Sequence, residues 1–129
     1  MYSFTPENAE ELRSFLQKCN IHDGVFRTAI YDQCAKRFNV SVENIVWNDS
    51  VDMAFCGIRK FITISDYKWG KDETIIDLAV LNGKEKLPEC IDTTDCKDML
   101  CFVWEMLSGN CIHIVCSQLR MSTGDGSMC

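Results

Sequence analysis

Much of what would mark an enzyme, a metal protein or a membrane protein is missing from this chain. No apolar run approaches the roughly 20 residues of a membrane-spanning helix, which excludes an integral membrane protein of that kind. Basic residues are in deficit, 13 Lys+Arg against 19 Asp+Glu for a net charge of −6, so a nucleic-acid partner is not expected. There are only two histidines, and no paired acid–base set emerges from them and the scattered carboxylates. No serine sits in a nucleophile elbow, and no Gly-rich phosphate loop occurs. No pair of cysteines has the Cys-x-x-Cys spacing that lets two thiolates reach one tetrahedral ion. No metal and no cofactor is therefore expected. The opening MYSFTPENAEELR has neither the basic start nor the apolar stretch of a signal peptide. A cytoplasmic location with reduced thiols is the corresponding expectation.

What is present is ordinary for a folded domain. The 129 residues are 47% hydrophobic and 25% charged, in the range of average globular usage. One domain over 1–121 is expected, followed by a flexible Gly/Ser-rich tail over 122–129. Nine cysteines leave at least one thiol free, and buried cysteine most often behaves as a small hydrophobe.

The patterning predicts one helix and then strands. Thr5 can cap, Pro6 suits the first helical position, and Glu7, Glu10 and Glu11 complement the helix dipole. Ala9, Leu12, Leu16 and Cys19 recur at three- and four-residue steps beside Phe15, Phe4 can staple onto Ala9, and Asn20 is a plausible stop. Strands are predicted over Val25–Tyr31, Phe38–Trp47, Val51–Ile64 (bent or bulged near Gly57), Thr74–Leu81, Met99–Leu107 and Cys111–Leu119. Residues 84–97, polar and carrying Pro88, read as a long loop. Short connections favour antiparallel pairing. The fold class is α+β, an N-terminal helix packed on a curved antiparallel sheet of about six strands.

A two-residue turn at Ser108-Gly109 or Gly109-Asn110 pairs residues whose numbers total 217 or 219. Both choices put Phe102, Trp104, Met106, Cys111, His113 and Val115 on one face, and Cys101, Val103, Glu105, Ile112, Ile114 and Cys116 on the other. A three-residue turn would change this. Cys111 and His113 point the same way, the minimum for an activated thiolate; alternatively His113 is a core residue packed on Trp104. His22-Asp23-Gly24 offers an exposed histidine with an orienting carboxylate, or simply an Asp-Gly turn from helix to strand.

Charge distribution is the better clue. Residues 1–64 hold seven basic and eight acidic side chains, and residues 65–129 hold six and eleven. The excess includes Glu85, Glu89, Asp92, Asp95 and Asp98, diluted by Lys84, Lys86 and Lys97. This is either a solvating loop or an acidic face that steers a basic protein partner. Trp47 and Trp69, both near predicted turns, are candidate aromatic anchors.

The order of features resembles small bacterial β-rich domains of the immunity-protein kind. The matching segments are His22-Asp23-Gly24, Tyr31-Asp32 and Phe55-Cys56-Gly57-Ile58, across roughly residues 20–120. The resemblance implies a binding role and transfers no catalytic residue. The leading expectation is a protein-binding domain that occludes a basic partner through Asp92, Asp95 and Asp98 with Trp69. The alternatives are a thiol-dependent enzyme or redox domain using Cys111 and His113, and a self-associating domain that forms homo-oligomers.

Overall fold

The structure is a computed structural model that describes residues 2–19, 21–44 and 49–123. Thr5 opens the helical segment: its N–H donates to the Asn8 side chain at 2.6 Å. A 3-10 turn covers Pro6–Asn8, and helix α1 follows over Ala9–Lys18 with Leu12 and Leu16 on its buried face. Before it runs a short strand, β1 (Tyr2–Phe4), which the patterning missed. Phe4 is buried there and its ring lies 5.4 Å from that of Phe15. The expected stop at Asn20 lies outside the described residues.

Eight further strands follow: β2 (Val25–Asp32), β3 (Arg37–Asn44), β4 (Asp49–Cys56), β5 (Lys60–Ile64), β6 (Ile75–Leu81), β7 (Leu100–Met106), β8 (Cys111–Cys116) and β9 (Gln118–Thr123). They form two antiparallel sheets, ordered β1-β9-β4-β3-β2 and β5-β8-β7-β6. The α+β antiparallel reading holds, but six strands in one sheet is corrected to nine strands in two sheets among the described residues. The expected long strands 51–64 and 111–119 each cross from one sheet to the other. Gly57 makes the first crossing at φ 65, a backbone region that L side chains disfavour. Ser117 makes the second, opposite it, with its N–H on the Cys56 carbonyl at 3.1 Å. The bend at Gly57 was legible because glycine marks it; the bend at Ser117 carries no such residue.

The two sheets face one another across an aromatic core. Phe55 meets Phe102 at 5.0 Å and Trp104 at 6.1 Å, and Phe26 meets Trp104 at 4.9 Å. Each buried aromatic removes a large apolar area from water.

The hairpin faces are also corrected. The Gly109 N–H donates to the Met106 carbonyl at 2.9 Å, and the Met106 N–H to the Asn110 carbonyl at 3.0 Å. Leu107, Ser108 and Gly109 therefore form a three-residue loop, with Gly109 at φ 90, a common hairpin solution. The register pairs Glu105 with Cys111 and Val103 with His113. Cys101, Val103, Glu105, Cys111, His113 and Val115 share the outer face, so His113 does not pack on Trp104.

The expected loop 84–97 contains a short helix, α2 (Thr93–Asp98). Together with Ile91 it covers part of that outer face, where Cys90, Cys96 and Met99 pack on Cys101 and Val115. Cys34, Cys56, Cys90, Cys96, Cys101, Cys111 and Cys116 are free thiols. Cys19 is disulfide-bonded, which departs from the expectation of uniformly reduced cysteines. β9 runs through Ser122 to Thr123; the rest of the expected tail lies outside the described residues. Among the described residues no helix is long and apolar enough to cross a membrane.

Candidate functional site

Trp69 sits on the segment between β5 and β6 and is 72% exposed. Its loop is fixed from below by Asn110, which is buried. The Asn110 side-chain oxygen accepts from the Tyr67 N–H at 2.9 Å, and its amide nitrogen donates to Glu73 at 2.6 Å. The Trp69 N–H donates to the Ser108 carbonyl at 2.9 Å. Tyr67 adopts φ 51, a conformation that costs a non-glycine residue about 1 kcal/mol or more. Gly109 allows the close approach: a Cβ there would stand 2.9 Å from the Trp69 ring. Tyr67, Leu107 and Ile64 are exposed at the same end of the sheet. Trp47, the other expected anchor, lies outside the described residues.

Beneath Trp69 is a cavity of about 340 Å³ on the outer face of the four-stranded sheet, lined among others by Pro88, Val103, Glu105, Cys111 and His113. The structure thus brings Trp69 together with the candidate thiol pair. Cys111 Sγ and His113 Nε2 are 3.4 Å apart. Burial pushes the Cys111 thiol above its ordinary range, and Glu105 adds to that; burial also holds His113 below its ordinary range. Both effects favour the neutral pair over thiolate and imidazolium. The other ring nitrogen of His113 is buried and has no hydrogen-bond partner among the described residues. The contact is therefore a neutral thiol–imidazole hydrogen bond, without the charge separation of an activated nucleophile.

Glu105 and Asp77 are a feature that the sequence reading missed. They stand directly opposite one another on β7 and β6, both are exposed, and neither is ion-paired to a described residue. Like charges directly opposite one another destabilise a sheet. The register that reveals the pair depends on the bulge between Ile75 and Asp77, which nothing in the sequence announces.

The expected acidic trio divides. Asp92 caps α2, accepting from the Asp95 N–H at 2.9 Å, and its side chain is 66% exposed. Asp98, at the helix end, is also exposed. Asp95 is buried: its carboxylate accepts from Lys60 at 2.6 Å, from Arg59 at 3.3 Å and from the Asp92 N–H at 3.2 Å. Burial pushes its carboxyl up, but these hydrogen bonds outweigh burial and hold it below the ordinary range. Asp95 thus ties α2 to β5 from inside the fold. Lys60 completes the tie by donating to the Cys90 carbonyl at 3.0 Å. The Lys60 ammonium is held above its ordinary range by the Asp95 hydrogen bond.

His22-Asp23-Gly24 forms the turn into β2. Asp23 adopts φ 70 and its N–H donates to the Ile75 carbonyl at 2.8 Å. His22 is exposed, 3.5 Å from the Asp23 carboxylate. Among the described residues no group of three or more His, Cys, Asp or Glu side chains could hold a metal ion. No protein-family model matches the chain, and no curated protein matches it.

Proposed function

We propose that this chain is a protein-binding domain of the immunity or inhibitor kind, which docks a basic protein partner at the Trp69 end of its four-stranded sheet. The observation that carries this reading is the presentation of Trp69. A large aromatic ring stands 72% exposed on a loop held by a buried asparagine and a strained tyrosine. Ordering a side chain on binding costs about 0.5–1.5 kcal/mol, and a ring already held in place loses less. Tryptophan is among the residue types enriched at binding hot spots.

The charge around it is mixed, with Lys68 5.9 Å from the Trp69 ring and Lys86 lining the cavity, and it is the Glu105–Asp77 pair that suits a cationic partner side chain. Glu105 and Asp77 face one another unpaired, and a cationic side chain between them would relieve their repulsion. Asp92, 4.0 Å from Lys60, and Asp98 lie at α2, toward the Cys101–Val115 end of the same face, and Asp95 is left to hold α2. The neutral state of Cys111 and His113 makes a thiol enzyme the weaker reading.

Affinity capture from the source organism with the wild-type chain and with Trp69→Ala tests the proposal. A partner retained by the wild type, eluted by salt and lost with the folded variant supports it. Equal retention by both chains refutes the assigned surface.

A further inference from the structure

The outer face of the five-stranded sheet carries a second cavity, of about 310 Å³, far in composition from the first. Its floor is strand β4, which presents the small residues Ala54 and Cys56 outward. On one side β3 presents Asn39 opposite Ala54 and Arg37 opposite Cys56. On the other side β9 presents Arg120 opposite Ala54. Small side chains between two rows of long ones make a trough. Arg37 and Arg120 both line it, two strands across and two residues along, or roughly 12 Å at ordinary strand spacing and rise.

Three facts about this trough point to a ligand. Neither guanidinium is ion-paired or hydrogen-bonded to a described residue, although the chain carries six more acids than bases. The Ser41 hydroxyl, at the end of the trough beside Asp52, has no hydrogen-bond partner among the described residues, and Ser41 is only 6% exposed. A buried hydroxyl left unbonded costs roughly 1–3 kcal/mol. Finally, the Asp52 carboxylate is exposed and unpaired in the same lining. An oxyanion alone would engage the arginines and leave Asp52 to water, whereas a ligand hydroxyl would give that carboxylate a donor.

We propose that this trough binds a small phosphate monoester bearing free hydroxyls. Arg37 and Arg120 hold the phosphate from opposite sides over Ala54 and Cys56, each guanidinium offering parallel N–H donors to its oxygens. Asp52 accepts from a ligand hydroxyl, and Ser41 supplies the remaining polar contact. The volume suits a ligand at the small end of the usual range of about 300–1,000 Å³. The site lies on the other sheet from Trp69 and is independent of the proposed docking surface.

The test is a titration of the isotope-labelled chain with inorganic phosphate and with glucose 6-phosphate, followed by NMR at constant ionic strength. Both probes should give saturable shifts at Ala54, Cys56 and the arginine side chains, with the sugar phosphate binding tighter. Arg37→Ala and Arg120→Ala should each weaken both probes at least tenfold. Asp52→Asn should weaken glucose 6-phosphate and leave inorganic phosphate unchanged or improved. Thermal unfolding of each variant confirms that the fold persists. Absence of saturation at 20-fold excess, equal shifts with chloride, or binding indifferent to both arginines overturns the proposal.

Discussion

A Cβ built on Gly57 would stand 2.0 Å from the Ser117 hydroxyl. The two residues occupy facing corners where β4 passes into β5 and β8 into β9, and their closeness lets both strands leave one sheet together and enter the other. Gly57→Ala should therefore destabilise the chain by about 2 kcal/mol or more, combining the left-handed backbone cost with a clash against the Ser117 hydroxyl, which would have to give up its hydrogen bond to the Cys56 carbonyl. Gly70 is the control: it too has positive φ, 110, but nothing lies within 4 Å of a Cβ there. Gly70→Ala should cost about 1 kcal/mol. Urea unfolding of the two variants compares them, and equal losses would contradict the corner.

Asp95→Ala should cost about 2–3 kcal/mol, because it removes a buried acceptor of Lys60 and Arg59 together with half of the reciprocal cap on α2. Asp92→Ala, which loses only the exposed half of that cap, should cost about 1 kcal/mol. Chemical denaturation at neutral pH distinguishes them.

Acidification should lower stability in two separate windows. His113 is held below its ordinary range in the fold, so between the unfolded value near 6.5 and that lower folded value the unfolded state binds the extra proton. Stability falls as pH drops through this window, and His113→Gln should flatten the fall. Asp95 is also held low, so its contribution is intact above about pH 4 and is lost as pH falls through its folded value. Asp95→Asn should flatten that second, more acid step. A stability curve unchanged by either variant would contradict the assignments.

Thiol labelling should follow burial. Cys34 is exposed and should react with iodoacetamide first. Cys111 should lag behind it at pH 7.5, because burial and Glu105 keep its thiol protonated. Cys116, whose thiol is pushed up to about 12 by burial, should label only on unfolding. Fast labelling of Cys111 at pH 7, abolished by His113→Ala, would instead favour thiol chemistry.

How far the sequence foretold this structure depends on whether a feature had a local cause. The positions of β2, β3 and β6 and the start of the helix could be read from alternation, from Thr5-Pro6 and from the glycine at the β4–β5 corner. The side of the sheet that His113 faces could not, since one residue more in the Leu107–Gly109 loop reverses it. Helix α2 was hidden in a polar stretch because its stability comes from Asp95 reaching Lys60 and Arg59, a contact 35 residues or more away in the chain. For the same reason Asp95 looked like surface charge. Trp69 was identified as a candidate from its place near a turn. Its support by Asn110, and the facing of Asp77 and Glu105, arise only from tertiary register.

The most direct measurement is the equilibrium affinity of the captured partner for the wild-type chain, Trp69→Ala and Glu105→Lys, each determined at two salt concentrations. Trp69→Ala should weaken binding by about 2 kcal/mol, some 30-fold, at both salts. Glu105→Lys should weaken binding chiefly at the lower salt. Affinities within twofold of the wild type for both variants, in folded protein, would contradict a docking surface at this end of the molecule.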